Sequence, residues 1–115
     1  MNNSDIKILL VDDEPDILEI VGYNLKNEGY KVYTSTNGIE AVKSAKKIMP
    51  DLILLDIMMP EMDGIEACEK IRTIKNLENT LIAFLTARNE DYSKVAGFDA
   101  GADDYITKPI KPKVL

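Results

Sequence analysis

Three aspartates are the residues of this chain best suited to chemistry. Asp12 and Asp13 follow one short apolar run, and Asp56 follows another. The chain has no histidine and a single cysteine, which excludes Ser/His and Cys/His catalysis, the commonest zinc ligand and an internal disulfide. Clustered carboxylates repel one another unless a cation offsets their charge, and Mg²⁺ prefers one or two carboxylates with water and phosphate oxygens. The aspartates therefore predict a Mg²⁺ site, with Mn²⁺ as an alternative.

Two further polar residues extend this set toward phosphoryl transfer. Asp56 could act as a carboxylate nucleophile that forms an acyl phosphate when a metal and a cation offset the charge. Lys108 is the candidate cation, and Thr86 is a candidate hydroxyl donor to a phosphoryl oxygen. Each residue also has an ordinary role as its alternative. Asp56 could be a strand-end turn residue, Lys108 a solvated lysine and Thr86 a β-branched strand residue. Asp12, Asp13 and Glu14 could serve as helix-capping residues.

The elements that must position these residues alternate between apolar runs and helical patterns. Strands are predicted at residues 6–11, 32–35, 52–55, 81–85 and 104–107. Helices are predicted from Pro15 to about Gly29, at 38–49, after Gly64 and, more weakly, at 89–100. In the second helix Val42, Ala45 and Met49 form the expected apolar stripe, and Cys68 is assigned to the core face of the third.

Alternating strands and helices predict an α/β fold, a flavodoxin-like doubly wound sheet of five parallel strands in the order 2-1-3-4-5. Sites in such sheets lie outside the carboxyl ends of the strands, where the strand order reverses. That rule places Asp12, Asp13, Asp56, Thr86 and Lys108 at one edge of the sheet.

Length and charge limit the other functions. The 115 residues fit one domain, residues 1–115, and the net charge of -6 argues against direct binding of nucleic acid by this segment. No apolar run approaches the roughly 20 residues that span a bilayer, and the polar start lacks the apolar stretch of a signal peptide. We therefore expect no membrane contact and a cytoplasmic location.

Four motifs in this order resemble the receiver domain of bacterial two-component response regulators over residues 7–110. They are Val11-Asp12-Asp13-Glu14, Leu54-Leu55-Asp56-Ile57-Met58-Met59-Pro60 with Asp63-Gly64, Leu85-Thr86-Ala87, and Lys108-Pro109. The resemblance implies that Asp56 accepts a phosphoryl group from a sensor histidine kinase or a phosphotransfer protein. It also implies that Asp13 ligates Mg²⁺ directly, that Asp12 does so mostly through water, and that Met58 contributes its backbone carbonyl.

The same resemblance implies a switch that reports phosphorylation. Thr86 and Tyr105 resemble the family's coupled switch pair, and Ala87 resembles the small residue beside the phosphoryl group. A tyrosine that merely packs with a wet hydroxyl is the alternative for Tyr105. Met58 and Arg88 occupy the two positions that tune loss of the phosphoryl group, and neither side chain readily orients water, so we expect slow dephosphorylation.

Residues 97–105 are most similar to receivers that precede a winged-helix DNA-binding domain, which favours transcriptional control as the output. Those receivers often form homodimers through the fourth helix, fifth strand and fifth helix. Lys94, Asp103 and Asp104 are candidates for such an interface, or else belong to a solvated charged rim. Because the family continues into a fifth helix, of which 112–115 correspond to the first turn, we expect that helix to be truncated.

Three other functions compete with this interpretation. A haloacid-dehalogenase-like hydrolase also uses an aspartyl nucleophile but needs a second Asp where Met58 stands, so turnover of an external substrate is not expected. A flavin-binding electron carrier needs a hydroxyl-rich loop after the first strand, where this chain has Asp12 and Asp13. A receiver that has lost phosphorylation and serves only as an interaction module is the third alternative.

Overall fold

Five strands and three helices lie within residues 3–59, 61–86 and 101–107, the parts of the chain that the computed structural model describes. After a 3-10 turn at Asn3–Asp5, they are β1 Lys7–Val11, α1 Pro15–Asn27, β2 Lys31–Ser35, α2 Gly38–Ile48, β3 Leu52–Asp56, α3 Gly64–Arg72, β4 Leu81–Thr86 and β5 Asp104–Thr107. The predicted helix at 89–100 and the predicted first turn of a fifth helix lie outside the described residues.

All five strands pair in parallel in the order β2-β1-β3-β4-β5, which confirms the predicted flavodoxin-like α/β topology. The register aligns the carboxyl ends of the strands: Val11 pairs with Leu55, and Thr86 with Thr107. Because Asp12 follows Val11 and Asp56 follows Leu55, these two aspartates reach the same level of the sheet.

Both faces of the sheet are covered by apolar residues, so β1 and β3 are nearly continuous apolar runs. One face packs Leu9, Ile53 and Phe84 with residues of α2 and α3, including the fully buried Cys68 predicted to lie there. The residues of the opposite cluster come from the strands and from α1, and they include Ile8, Leu10, Val21, Leu25, Leu54 and Leu85. This second face also carries an apolar groove of about 410 Å³.

The helix ends follow local capping chemistry. Pro15 occupies the first turn of α1, where its missing N–H costs nothing. The side chains of Asn37 and Asp63 cap α2 and α3 by accepting N–H bonds of 2.8 Å from Glu40 and Glu66. The prediction that Met49 joins the apolar stripe of α2 was wrong, because that residue ends the helix in a left-handed conformation (φ 57) and is 37% exposed.

No helix among the described residues is both long and apolar enough to cross a membrane.

Candidate metal centre

The structure brings three carboxylates together at the carboxyl ends of β1 and β3. One oxygen from each of Asp12, Asp13 and Asp56 lies within 4.8 Å of the other two. The pairing of β1 with β3 produces this cluster, since the two strands run parallel and end at the same level. Asp13 joins as the next residue along the chain after Asp12.

Two aspartates of the cluster are buried and the third is exposed to solvent. Asp12 is fully buried and Asp56 is 4% exposed, whereas Asp13 is exposed to solvent. Two buried carboxylates so close together are costly in a low-dielectric environment unless positive charge compensates them. The exposed Asp13 leaves the cluster open to an incoming ion or ligand.

The backbone around Asp12 orients its carboxylate. Its N–H donates to the carbonyl of Ser35 (3.2 Å), and its Oδ1 accepts the N–H of Glu14 (2.9 Å). Glu14 is the N-cap residue of α1 but makes no capping hydrogen bond with its side chain. The Asp12 carboxylate thus bonds to the N-cap residue itself, Glu14, which immediately precedes the first residue of α1.

The first residue of α3 lies against the backbone of Asp56. The chain leaves β3 with the Ile57 N–H directed to the carbonyl of Leu85 (3.4 Å), then returns so that the Gly64 N–H donates to the carbonyl of Ile57 (2.8 Å). A β-carbon at Gly64 would overlap the carbonyl oxygen of Asp56. Sequence reasoning gave Gly64 only as part of a motif and missed this contact.

The donor set fits a hard divalent cation. Three carboxylate oxygens within 4.8 Å of one another can be bridged by an ion with ligands at about 2.1 Å, directly or through water. Among the cluster's residues there is no sulfur or nitrogen side-chain donor of the kind that zinc favours. Met58 lies two residues beyond Asp56 with its side chain 59% exposed.

Among the remaining predicted site residues, the structure describes the two switch residues, Thr86 and Tyr105, but not the others. Thr86 ends β4 in register with Thr107, so its backbone lies at the same edge as Asp56. Tyr105 is half-buried in β5, where its ring packs against Phe84 with centroids 5.5 Å apart. The predicted residues outside the described part of the chain are Ala87, Arg88, Lys94 and Lys108.

Comparison with known proteins agrees with this architecture. The alkaline phosphatase synthesis transcriptional regulatory protein PhoP of Bacillus subtilis (strain 168) is 49% identical over 107 residues, which cover 93% of this chain and 44% of PhoP. The chain thus spans less than half the length of that relative.

Several solved structures have the same fold. The chemotaxis protein CheY4 of Vibrio cholerae matches with a TM-score of 0.89 and 34% identity, over 94% of this chain and 90% of that one. The receiver domain of sensor histidine kinase PA1611 from Pseudomonas aeruginosa PAO1, which has a magnesium ion coordinated in its active-site cleft, matches with a TM-score of 0.87 and 35% identity, over 95% and 89% of the two chains. The response regulator receiver domain family model matches residues 8–115, and the chain therefore belongs to this family of two-component signalling domains.

Proposed function

We propose that this receiver domain is a phosphorylation-dependent switch whose acceptor is Asp56. The observation that carries the proposal is the cluster of Asp12, Asp13 and Asp56 at the carboxyl ends of β1 and β3. In the reaction, a carboxylate oxygen of Asp56 bonds to phosphorus while the bond between phosphorus and the imidazole nitrogen of a donor phosphohistidine breaks. The released imidazole takes up a proton, and Asp56 becomes an acyl phosphate.

The three aspartates and the Met58 carbonyl would hold Mg²⁺, with Asp13 as a direct ligand and Asp12 acting mostly through water. When bound, Mg²⁺ (or Mn²⁺) offsets the negative charge of the carboxylates and of the phosphoryl oxygens. Asp12 is held in place for this role by the Glu14 N–H. The magnesium-bound Pseudomonas receiver domain supports the assignment.

Other residues complete the switch. In the proposed switch, Lys108 would pair with Asp56 and then with a phosphoryl oxygen, and Thr86 would donate its hydroxyl to another oxygen. Ala87 would be the small residue beside the phosphoryl group. Tyr105 responds by turning inward, which moves its ring relative to Phe84, its present neighbour. Phosphorylation thus shifts the population between two packings, which the surface of the fourth helix and β5 would report.

Loss of the phosphoryl group is proposed to be slow. Met58 and Arg88 stand at the positions from which a side chain would orient an attacking water, and neither is a carboxylate or amide suited to that task. Purified phosphoprotein should persist without a phosphatase, and rapid decay would contradict this part of the proposal. Turnover of an external substrate does not belong to the proposed function.

The donor is proposed to be a sensor histidine kinase or a phosphotransfer protein, and the location is proposed to be the cytoplasm. The relative PhoP regulates transcription, and its length leaves room for a DNA-binding output in a different segment. Residues 1–115 are proposed to act as one receiver domain, and their net charge of -6 disfavours direct contact with nucleic acid.

Homodimerisation through the face formed by the fourth helix, β5 and the fifth helix is also proposed, with one change in the candidate residues. Asp104 is exposed and suits an intermolecular ion pair. Asp103 instead forms an ion pair of 2.8 Å with Arg72 of its own chain, so it is the weaker candidate for an interface.

The experiment is phosphorylation by acetyl phosphate with Mg²⁺, followed by intact mass. We expect one added phosphoryl group on the native chain, none on Asp56→Asn, and loss of the reaction when a chelator removes the metal. Asp16→Asn is the matched control, because Asp16 is an exposed aspartate of α1 outside the cluster. A folded native chain that gains no phosphoryl group would favour the interaction module that has lost phosphorylation.

A further inference from the structure

Arg72, the last residue of α3, connects the loop that follows α3 to the segment just before β5, 29 to 31 residues further along the chain. Its guanidinium donates to backbone carbonyls of the α3–β4 connection, to a carbonyl just before β5 and to one carboxylate. The acceptors are the carbonyls of Leu77 (3.3 Å), Glu78 (3.3 Å), Thr80 and Gly101 (2.9 Å) and the carboxylate of Asp103 (2.8 Å). Arginine suits this task because its five N–H groups are held in one rigid plane.

Asp103 carries the connection from Arg72 into the sheet. The carboxylate oxygen that binds Arg72 also accepts the N–H of Ile82 (2.9 Å), and the Asp103 N–H donates to the Ile82 carbonyl (2.8 Å). The ladder of β4 with β5 begins one residue later, where Ala83 pairs with Asp104. Asp103 therefore sets the point at which β5 starts to pair.

Gly101 fits closely against the Arg72 side chain. Its φ of +105 is a conformation that residues with a side chain rarely adopt, and a β-carbon there would lie 2.9 Å from Cγ of Arg72 and 3.2 Å from Nε. The clamp, defined as Arg72, Gly101 and Asp103, is thus specified by all three residues rather than by the ion pair alone.

The register of β5 matters because this strand is short and lies at the edge of the sheet. It has four residues, and β4 is its sole partner in the described sheet. A slip of one residue would move Tyr105 to the opposite face and away from Phe84, since side chains alternate along a strand. Tyr105 stands two residues after Asp103, close enough for the clamp to set its position.

We infer that Arg72 is a positioning residue for the switch, an inference that rests on the proposed function. By fixing the start of β5, the clamp keeps Tyr105 in register with Phe84, so that phosphorylation of Asp56 changes the packing of Tyr105 rather than the pairing of the strand. Arg72 contacts residues just before the amino end of β5, whereas Asp56 lies at the carboxyl end of β3. Because these are opposite edges of the parallel sheet, Arg72 does not take part in phosphoryl transfer.

The test compares the native chain with Arg72→Lys, which keeps the charge but not the planar set of donors. Phosphorylation by acetyl phosphate with Mg²⁺ is followed by intact mass, and amide hydrogen exchange and the NMR signal of Tyr105 are recorded before and after it. We expect normal phosphorylation, roughly tenfold or greater acceleration of exchange at the β5 amides, and a phosphorylation-dependent Tyr105 shift reduced by about half or more.

Two further variants separate positioning from general stability. Ile71→Val removes one methylene from a buried neighbour of Arg72 and leaves the clamp intact, so it should keep the native Tyr105 response despite a lower melting temperature. Asp103→Asn should reproduce the Arg72→Lys effect, and the double variant should add little, because both changes break the same connection.

A native Tyr105 response and native β5 exchange in Arg72→Lys would overturn the inference. An equal loss of response in Ile71→Val would also overturn it, since the effect would then come from stability alone. If the native chain is not phosphorylated at all, the proposed function fails. Exchange at the β5 amides in Arg72→Lys would still decide whether Arg72 positions this strand.

Discussion

The first residue of α3, Gly64, lies directly against the backbone carbonyl of Asp56, with no room for a β-carbon between them. The helix start and the end of β3 are therefore in contact through backbone atoms alone. Any side chain at position 64 must displace either α3 or the strand end that carries the acceptor carboxylate. Gly64, eight residues after Asp56, thus constrains the position of the Asp56 backbone.

Replacement of Gly64 by alanine should destabilise the protein by about 1–3 kcal/mol, the usual cost of overpacking, and should slow phosphorylation of Asp56. Denaturant unfolding and the intact-mass assay measure the two effects. Gly22→Ala is the matched control, because a β-carbon at Gly22 in α1 would meet only Leu10 Cδ2 at 4.0 Å. Alanine favours a helix over glycine, so this control should be neutral or stabilising. Equal effects of the two substitutions would contradict the assigned contact.

Replacement of Asp13 by asparagine should raise stability in the absence of metal and reduce the stability gained when Mg²⁺ is added. Without Mg²⁺ it should raise the melting temperature, because it removes one of three mutually repelling carboxylates. With Mg²⁺ the native chain should gain stability, by about 2.7 kcal/mol at a concentration 100 times the Kd, and Asp13→Asn should gain less. Thermal melts in Mg²⁺ and in chelator provide the comparison, with Asp16→Asn as control. The same gain in both chains would argue against Asp13 as a ligand.

Alkaline pH should destabilise the protein partly through Cys68. Burial raises the pKa of this thiol to about 11 from its usual 9.0, although the nearby charge of Arg72 acts in the opposite direction. Because the folded state holds the proton more tightly than the unfolded state, this contribution is fully present below pH 9 and is lost as the pH rises toward 11. The loss should be about 1–3 kcal/mol in the free energy of unfolding. Denaturant melts at pH 8 to about 11 should show a smaller decline for Cys68→Ala than for the native chain. Parallel declines would rule out the thiol as their source.

Much of the fold could be predicted from local patterns in the sequence. Apolar runs alternating with helical spacing gave the five strands, and the rule for parallel sheets then gave their order. The three aspartates could be grouped because strand ends are visible in the sequence and parallel strands end at one edge. Neither step needed contacts between distant residues.

The clamp and the Gly64 contact could not be predicted in this way. Arg72 binds partners 29 and 31 residues away, and an arginine in the last turn of a helix is equally expected for its charge alone. The close approach of Gly64 depends on how the loop after Asp56 returns, which its composition does not determine. Met49 was misplaced for a related reason, since a left-handed residue ends the helical pattern without a glycine.

Chemical location of the phosphoryl group tests directly whether Asp56 is the acceptor. The protein is phosphorylated with acetyl phosphate and Mg²⁺ and then treated with borohydride, which reduces an acyl phosphate of aspartate to homoserine, and the product is located by peptide mapping. We expect homoserine at position 56 and unmodified Asp12 and Asp13. Homoserine at either of those two positions, with Asp56 unchanged, would contradict the assignment of Asp56 as the acceptor.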